Sequence, residues 1–199
     1  MRHDLARTLV VLALTLVSDL SLAADPTKLD LLGFKLGITA EEVERIAQKS
    51  QFTNIRRTAG PSFEQAVALQ RRELVRGQDY KGVHLIKAER KDVLIQVFFA
   101  PAPDAPRVLK IELELLPSAT ELRKQLLEKF AEPDKRAVRE WLWGDTAEFF
   151  YARTRPYLEF QPSPSSISRP SPIGRFILAD PALQKYTDEQ VKSAARPGM

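Results

Sequence analysis

The sequence predicts an α+β fold in which short capped helices sit on antiparallel strands, arranged as tandem helix-plus-sheet units. Three observations carry that expectation. The pairs Thr39/Glu42, Ser62/Gln65 and Ser118/Glu121 have the capping-box spacing, in which two side chains satisfy backbone N–H groups at a helix start. In the run Val108 to Leu115, Leu109, Ile111, Leu113 and Leu115 alternate with Lys110, Glu112 and Glu114, the period of a strand with one wet and one buried face. Helix followed by strands then occurs twice, over 39–115 and 118–161, which suggests a duplicated unit and not a parallel βαβ fold. The expected organisation is an export signal at 1–23, a first unit at 24–116, a second at 117–161, and a Pro/Ser-rich loop with a C-terminal extension at 162–199.

The beginning of the chain reads as a secretory signal. Arg2 and Arg7 precede the apolar run Leu9 to Val17, and Ser21-Leu22-Ala23 places small residues at a cleavage site after Ala23 or, one residue later, Ala24. A bilayer-spanning helix needs about 20 apolar residues, and Asp4 and Asp19 bracket a shorter run. No cysteine occurs anywhere, so a lipid-modified N-terminus, thiol catalysis and thiolate zinc are excluded, and the exported protein must rely on packing alone. Thirty Lys and Arg against 26 Asp and Glu give a net charge of +4, with the signs interleaved. That balance makes nucleic acid an unsuitable partner and favours a solvated surface.

Within the first unit, Gly33 and Gly37 let the backbone turn into the Thr39 cap. The helix from Thr39 places Val43, Ile46 and Ala47 on one face, Glu41 and Glu42 in its first turn, and Ile38 opposite Val43 as a hydrophobic staple; it ends near Ser50. Residues 53–61 read as loop or weak strand. Residues 63–75 suit a helix by the spacing of Phe63, Val67 and Leu74, and equally a strand by the alternation of Val67, Leu69 and Arg71. Three strands follow from Gly82 to Leu115, turning at Lys91-Asp92 and through the Pro101–Pro106 loop. In the second unit a helix from Ser118 carries Leu122, Leu126, Leu127 and Phe130 and stops at Pro133. Strands are expected over 138–143, with Trp141 and Trp143 on one face, over 147–153, with Phe149 and Tyr151 opposite Phe150, and over 157–161. Beyond the Pro/Ser-rich stretch from Pro162 to Gly174, a short strand at 175–180 and a helix capped by Thr187 with Gln190 complete the reading.

The residues offer little chemistry. His84 is the one histidine outside the signal, and it has no ligand cluster or G-x-S-x-G elbow beside it. The pairs Glu41/Glu42 and Glu112/Glu114 fall where a helix first turn and a wet strand face explain them. No phosphate loop or dinucleotide fingerprint is present, so no catalytic residue, cofactor or metal is assigned. Arg56-Arg57, Arg71-Arg72 and Arg153/Arg155 could bind anions only if the fold gathers them. The aromatic stretch from Trp141 to Tyr151 is the densest, and its outward-facing members are the candidate contact surface: Trp143, Phe150 and Tyr151, with Arg153 and Arg155.

The segment Gly33-x-x-x-Gly37-x-Thr39-x-Glu41-Glu42-Val43 resembles the opening of BamE-like (SmpA/OmlA) and β-lactamase-inhibitor-protein-like units, small exported bacterial domains. The later Leu126-Leu-Glu-Lys-Phe130-Ala-Glu-Pro133 and Trp141-x-Trp143-Gly144 are similar to a pattern of periplasmic proteins with that architecture, although Ala131 stands where a Gly is common. The resemblance implies helices on an antiparallel sheet, a periplasmic location and a protein-binding scaffold. The expectation is therefore an exported, non-catalytic protein that binds another envelope protein. The alternative is a periplasmic carrier or sensor of an anionic or lipidic ligand.

Overall fold

A computed structural model describes residues 25–130, 132–162 and 171–196 of the chain. The segment expected to be an export signal and the stretch 163–170 lie outside the described residues. The fold is α+β: among the described residues eight strands form one antiparallel sheet, accompanied by four α-helices. In chain order these are α1 (Ala40–Lys49), β1 (Thr53–Gly60), α2 (Phe63–Gln70), β2 (Gly82–Arg90), β3 (Val93–Ala100), β4 (Arg107–Leu115), α3 (Thr120–Lys129), β5 (Lys135–Arg136), β6 (Trp141–Gly144), β7 (Tyr157–Gln161), β8 (Gly174–Ala179) and α4 (Pro181–Ala195). The spatial order is β1-β2-β3-β4-β8-β7-β6-β5. Each helix-led half is thus a four-stranded meander, and the halves meet through their last strands, β4 against β8. The second unit therefore does not close at residue 161. Its final strand comes from the segment expected to be an extension, and that strand sits at the centre of the sheet.

One face of the sheet is apolar and covered. The register places Ile95, Leu113 and Phe176 in one row across β3, β4 and β8, and Val97, Ile111 and Leu178 in the next. Leu158 and Phe160 of β7 and Trp143 of β6 continue these rows. Val43 and Ala47 of α1 and Leu126 of α3, with Phe130 just beyond it, close the same cluster. Phe130 meets Trp143 and Phe176 edge-on, with centroids 6.2 and 5.8 Å apart, and Phe34 meets Phe52 at 5.7 Å. Each such side chain contributes roughly 1.5–3 kcal/mol by leaving water. Helix α4 pairs with α2 and borders the other face, where its Gln184 lines a pocket with His84 and Phe98.

The caps show which local signals the tertiary structure uses. At α1, Thr39 N–H donates to Glu42 Oε2 at 2.8 Å and Glu42 N–H to Thr39 Oγ1 at 3.3 Å, while Ile38 and Val43 both join the core. Ser62 and Gln65 do the same for α2, which is helical and not a strand. Gly33 and Gly37 take φ of +89° and +76°. Ser118 does not cap α3. Its hydroxyl donates to Lys91 O at 3.3 Å across the β2–β3 turn, and a 3-10 turn over Pro117–Ala119 leads into the helix instead. Thr187 is likewise no cap. Pro181 and Asp180, whose carboxylate accepts Leu183 N–H at 3.0 Å, start α4 earlier, and the Thr187 hydroxyl is buried inside the helix against Leu183 O and Gln184 O. Residues 53–60 are a full strand; its bulges and its Arg56-Arg57 pair blunt an exposed edge.

Candidate functional site

The uncovered face of the central strands is built from polar rows. Lys110, Ala179 and Tyr157 lie side by side across β4, β8 and β7; Glu112, Ile177 and Glu159 form the next row, and Glu114, Arg175 and Gln161 the third. Strict alternation puts these residues opposite the apolar rows described above, so the amphipathic sequence of β4 makes core and site with the same strand. Neighbouring charges neutralise one another. Lys110 Nζ is 2.8 Å from Glu112 Oε1, and Arg175 pairs with Glu114.

A loop between β6 and β7 folds over this face. Residues 147–153 do not form the expected strand, and the reason is Asp145. Its carboxylate accepts the backbone N–H groups of Ala147 at 3.1 Å, Thr154 at 2.8 Å and Arg155 at 3.0 Å, which draws both ends of the loop together. Burial pushes the Asp145 carboxyl up, and those three donors more than offset it, so it titrates below its ordinary range. Gly144 opens the loop at φ +88°, where a Cβ would lie 2.5 Å from Pro26 Cγ and 2.7 Å from Pro156 O. No other residue fits there.

Arg153 pins the loop to the sheet. It is only 4% exposed, and so is not the surface residue the sequence suggested. Its guanidinium donates to Glu159 Oε2 at 2.6 Å, Glu140 Oε2 at 3.3 Å and Ala147 O at 3.3 Å, and lies 4.5 Å above the Tyr157 ring. Desolvation acts to lower the Arg153 pKa, but the hydrogen bond and charge of Glu159 outweigh it and raise the pKa, so the cation is secured. Tyr157 is shifted up, mainly by burial, with Arg153 opposing. This buried pairing is the functional feature that sequence reading missed. Its partners stand thirteen residues before and six after Arg153 in the chain, a spacing too diffuse to read without the register.

With its ends fixed, the loop presents Phe149, Phe150 and Tyr151 at 55, 74 and 71% exposure, Phe150 and Tyr151 on a single 3-10 turn. Phe149 and Tyr151 stack at 5.2 Å with ring planes 10° apart, and Phe150 meets Tyr151 edge-on at 5.6 Å. The three rings form one cluster, not the two-sided arrangement a strand would impose. Of the five candidate contact residues, Phe150 and Tyr151 are gathered here and Trp143 is not. Trp143 lies on the apolar face and is fully buried, because strand parity sends it toward Phe130. Arg155 is exposed beyond the loop, lining a separate cleft with Asp25, Asp134 and Asp145. The arginines are not gathered for anions: Arg57 pairs with Glu44 at 2.9 Å, and Arg71 donates to Ala194 O and Ala195 O at the end of α4.

Between the aromatic loop and the polar rows lies a cleft of about 370 Å³. Glu112, Glu140, Glu148 and Glu159 line it against two cations, Lys110 and Arg153, and Phe149, Phe150, Tyr157 and Ile177 supply its apolar surface. Among the described residues no group of His, Cys, Asp and Glu is placed to hold a metal ion, and no helix is long and apolar enough to cross a membrane. No protein-family model, curated protein or solved structure matches the chain.

Proposed function

We propose that this is an exported, periplasmic, non-catalytic protein that binds another envelope protein, with the loop at 149–151 as its principal contact. The observation that carries the reading is the exposed aromatic trio on a loop held shut by Asp145 and buried Arg153. Three solvated rings fixed in one place lose little conformational entropy on binding, and aromatic side chains dominate binding energy at interfaces. The helix-then-meander order, present twice, supports the reading by giving the loop one continuous antiparallel sheet to stand on. The alternative of an anionic or lipidic ligand finds less support, since carboxylates outnumber cations in the cleft beside the loop.

The test is a photo-crosslinking residue substituted for Phe150 in cells producing the full chain, with the same residue at exposed Leu74 as control. A discrete protein adduct from position 150 and none from position 74 is expected. Equal or absent crosslinking at 150 would overturn the reading. Against the captured partner, Phe150→Ala should weaken binding about 30-fold, the effect of losing a hot spot worth about 2 kcal/mol.

A further inference from the structure

We infer that the cleft between the 149–151 loop and the polar sheet face receives a guanidinium or ammonium side chain from a basic segment of the partner protein. This rests on the protein-binding reading above and names the chemistry of the partner. The first support is charge complementarity. Four carboxylates and two cations line one concavity, and both cations are already engaged: Arg153 bridges Glu140 and Glu159, and Lys110 is held on Glu112 at 2.8 Å, while Lys135 from outside the lining lies 3.9 Å from Glu140. Glu148, exposed on the loop immediately before Phe149, adds negative charge beyond both pairings.

The second support is the aromatic surface. This part of the molecule stacks cations on rings twice, Arg153 over Tyr157 at 4.5 Å and Lys110 over Phe98 at 4.1 Å. Phe149 and Phe150 line the same cleft with exposed rings that carry no such cation. A ring face beside carboxylates favours a delocalised, weakly hydrated cation, and an arginine head group satisfies both at once. The third support is continuity. Phe149 and Phe150 belong both to the cleft wall and to the aromatic cluster, so a partner seated on the rings has its neighbouring side chains directed at the cleft mouth. An acidic side chain there would meet like charge. Specificity is set by that exclusion as much as by attraction.

The test uses isotope-labelled protein purified from cells producing the full chain, titrated with N-acetyl-arginine methylamide and, separately, with its citrulline counterpart, which keeps the shape and removes the charge. Saturable binding of the arginine probe is expected, with a dissociation constant on the order of millimolar. Its shifts should be confined to backbone amides around Glu112, Glu148 to Phe150 and Tyr157. Citrulline should bind at least about tenfold more weakly, and Glu148→Gln should weaken the arginine probe about three- to tenfold, as should raising the salt. Glu148 is exposed and holds no side chain among the described residues, so that variant reports the cleft and not the fold. Equal binding of the two probes, or shifts that fall elsewhere, would overturn the cation assignment even where the Phe150 crosslink succeeds. A bound arginine probe with no protein crosslinked at Phe150 would overturn the protein-borne origin of the cation and the binding reading together.

Discussion

Arg153 and Phe150 sit three residues apart and do opposite work. Arg153 is buried with two carboxylates and a ring, whereas Phe150 touches little besides its aromatic neighbours. Removing the cation leaves Glu159 buried without it, and breaking a buried pair from one side costs about 3–5 kcal/mol. Arg153→Ala should therefore lower stability by that amount in urea denaturation. Arg153→Lys should recover only part, because an ammonium cannot reach Ala147 O, Glu140 and Glu159 as a planar fork does. Phe150→Ala should stay within about 0.5 kcal/mol of the parent. A stability loss at position 150 as large as at 153 would mean that the loop packs where the structure shows it exposed. The residue scale is also where the sequence was least legible. Trp143 and Tyr151 are both large aromatic residues in one short stretch, and strand parity buries the first while the end of the strand leaves the second on a loop. Parity in turn depends on where the strand stops, and Asp145 stops it by taking N–H groups that a ladder would use.

At the scale of elements, capping boxes were partly legible. Thr39 and Ser62 cap as their spacing predicts because the backbone is extended at each of them, with ψ of 168° and 172°, which aims the side-chain oxygen at the third helical N–H. Ser118 has the same spacing but lies inside the 3-10 turn Pro117–Ala119, and its hydroxyl donates to Lys91 O instead. Thr39→Ala should cost about 1 kcal/mol. Ser118→Ala should fall within about 0.5 kcal/mol, since it loses one solvent-exposed hydrogen bond and no cap. Paired thermal and urea unfolding of the two variants checks this, and equal losses would restore Ser118 as a cap. The strands β2, β3, β4 and β7 were legible for a simple reason: each alternates or runs apolar over enough residues to exceed noise. The two-residue strand β5 carries no such period, and the loop before β7 carries a misleading one in the alternation of Phe149, Phe150 and Tyr151. Their conformation is dictated by side chains from elsewhere, Asp134 accepting Gly144 N–H at 2.7 Å among them.

For the whole molecule, the decisive feature is the position of β8. Read along the chain, residues after 161 look dispensable, since a Pro/Ser-rich stretch separates them from everything before. In space, β8 pairs with β4 on one side and β7 on the other, and Phe176 and Leu178 complete the apolar rows of both halves. The halves are similar in plan but share their central hydrogen-bonded pair and one hydrophobic cluster, which joins α1, α3 and strands of both meanders. Two independent domains would unfold in two steps. One sheet with one core should unfold in a single transition, with far-ultraviolet circular dichroism and the fluorescence of Trp141 and Trp143 changing together. A chain ending at residue 162 loses β8 and α4, exposing the edges of β4 and β7 along with half-empty apolar rows. It should not merely be destabilised; it should lose the cooperative transition and associate through those edges. Supplying residues 171–196 as a separate peptide should restore part of the transition, because it carries the strand that pairs with both β4 and β7 and the helix that follows it. A truncated chain that keeps a sharp, coincident transition would mean that the two meanders fold without their shared strand, and that the second unit closes at β7 after all.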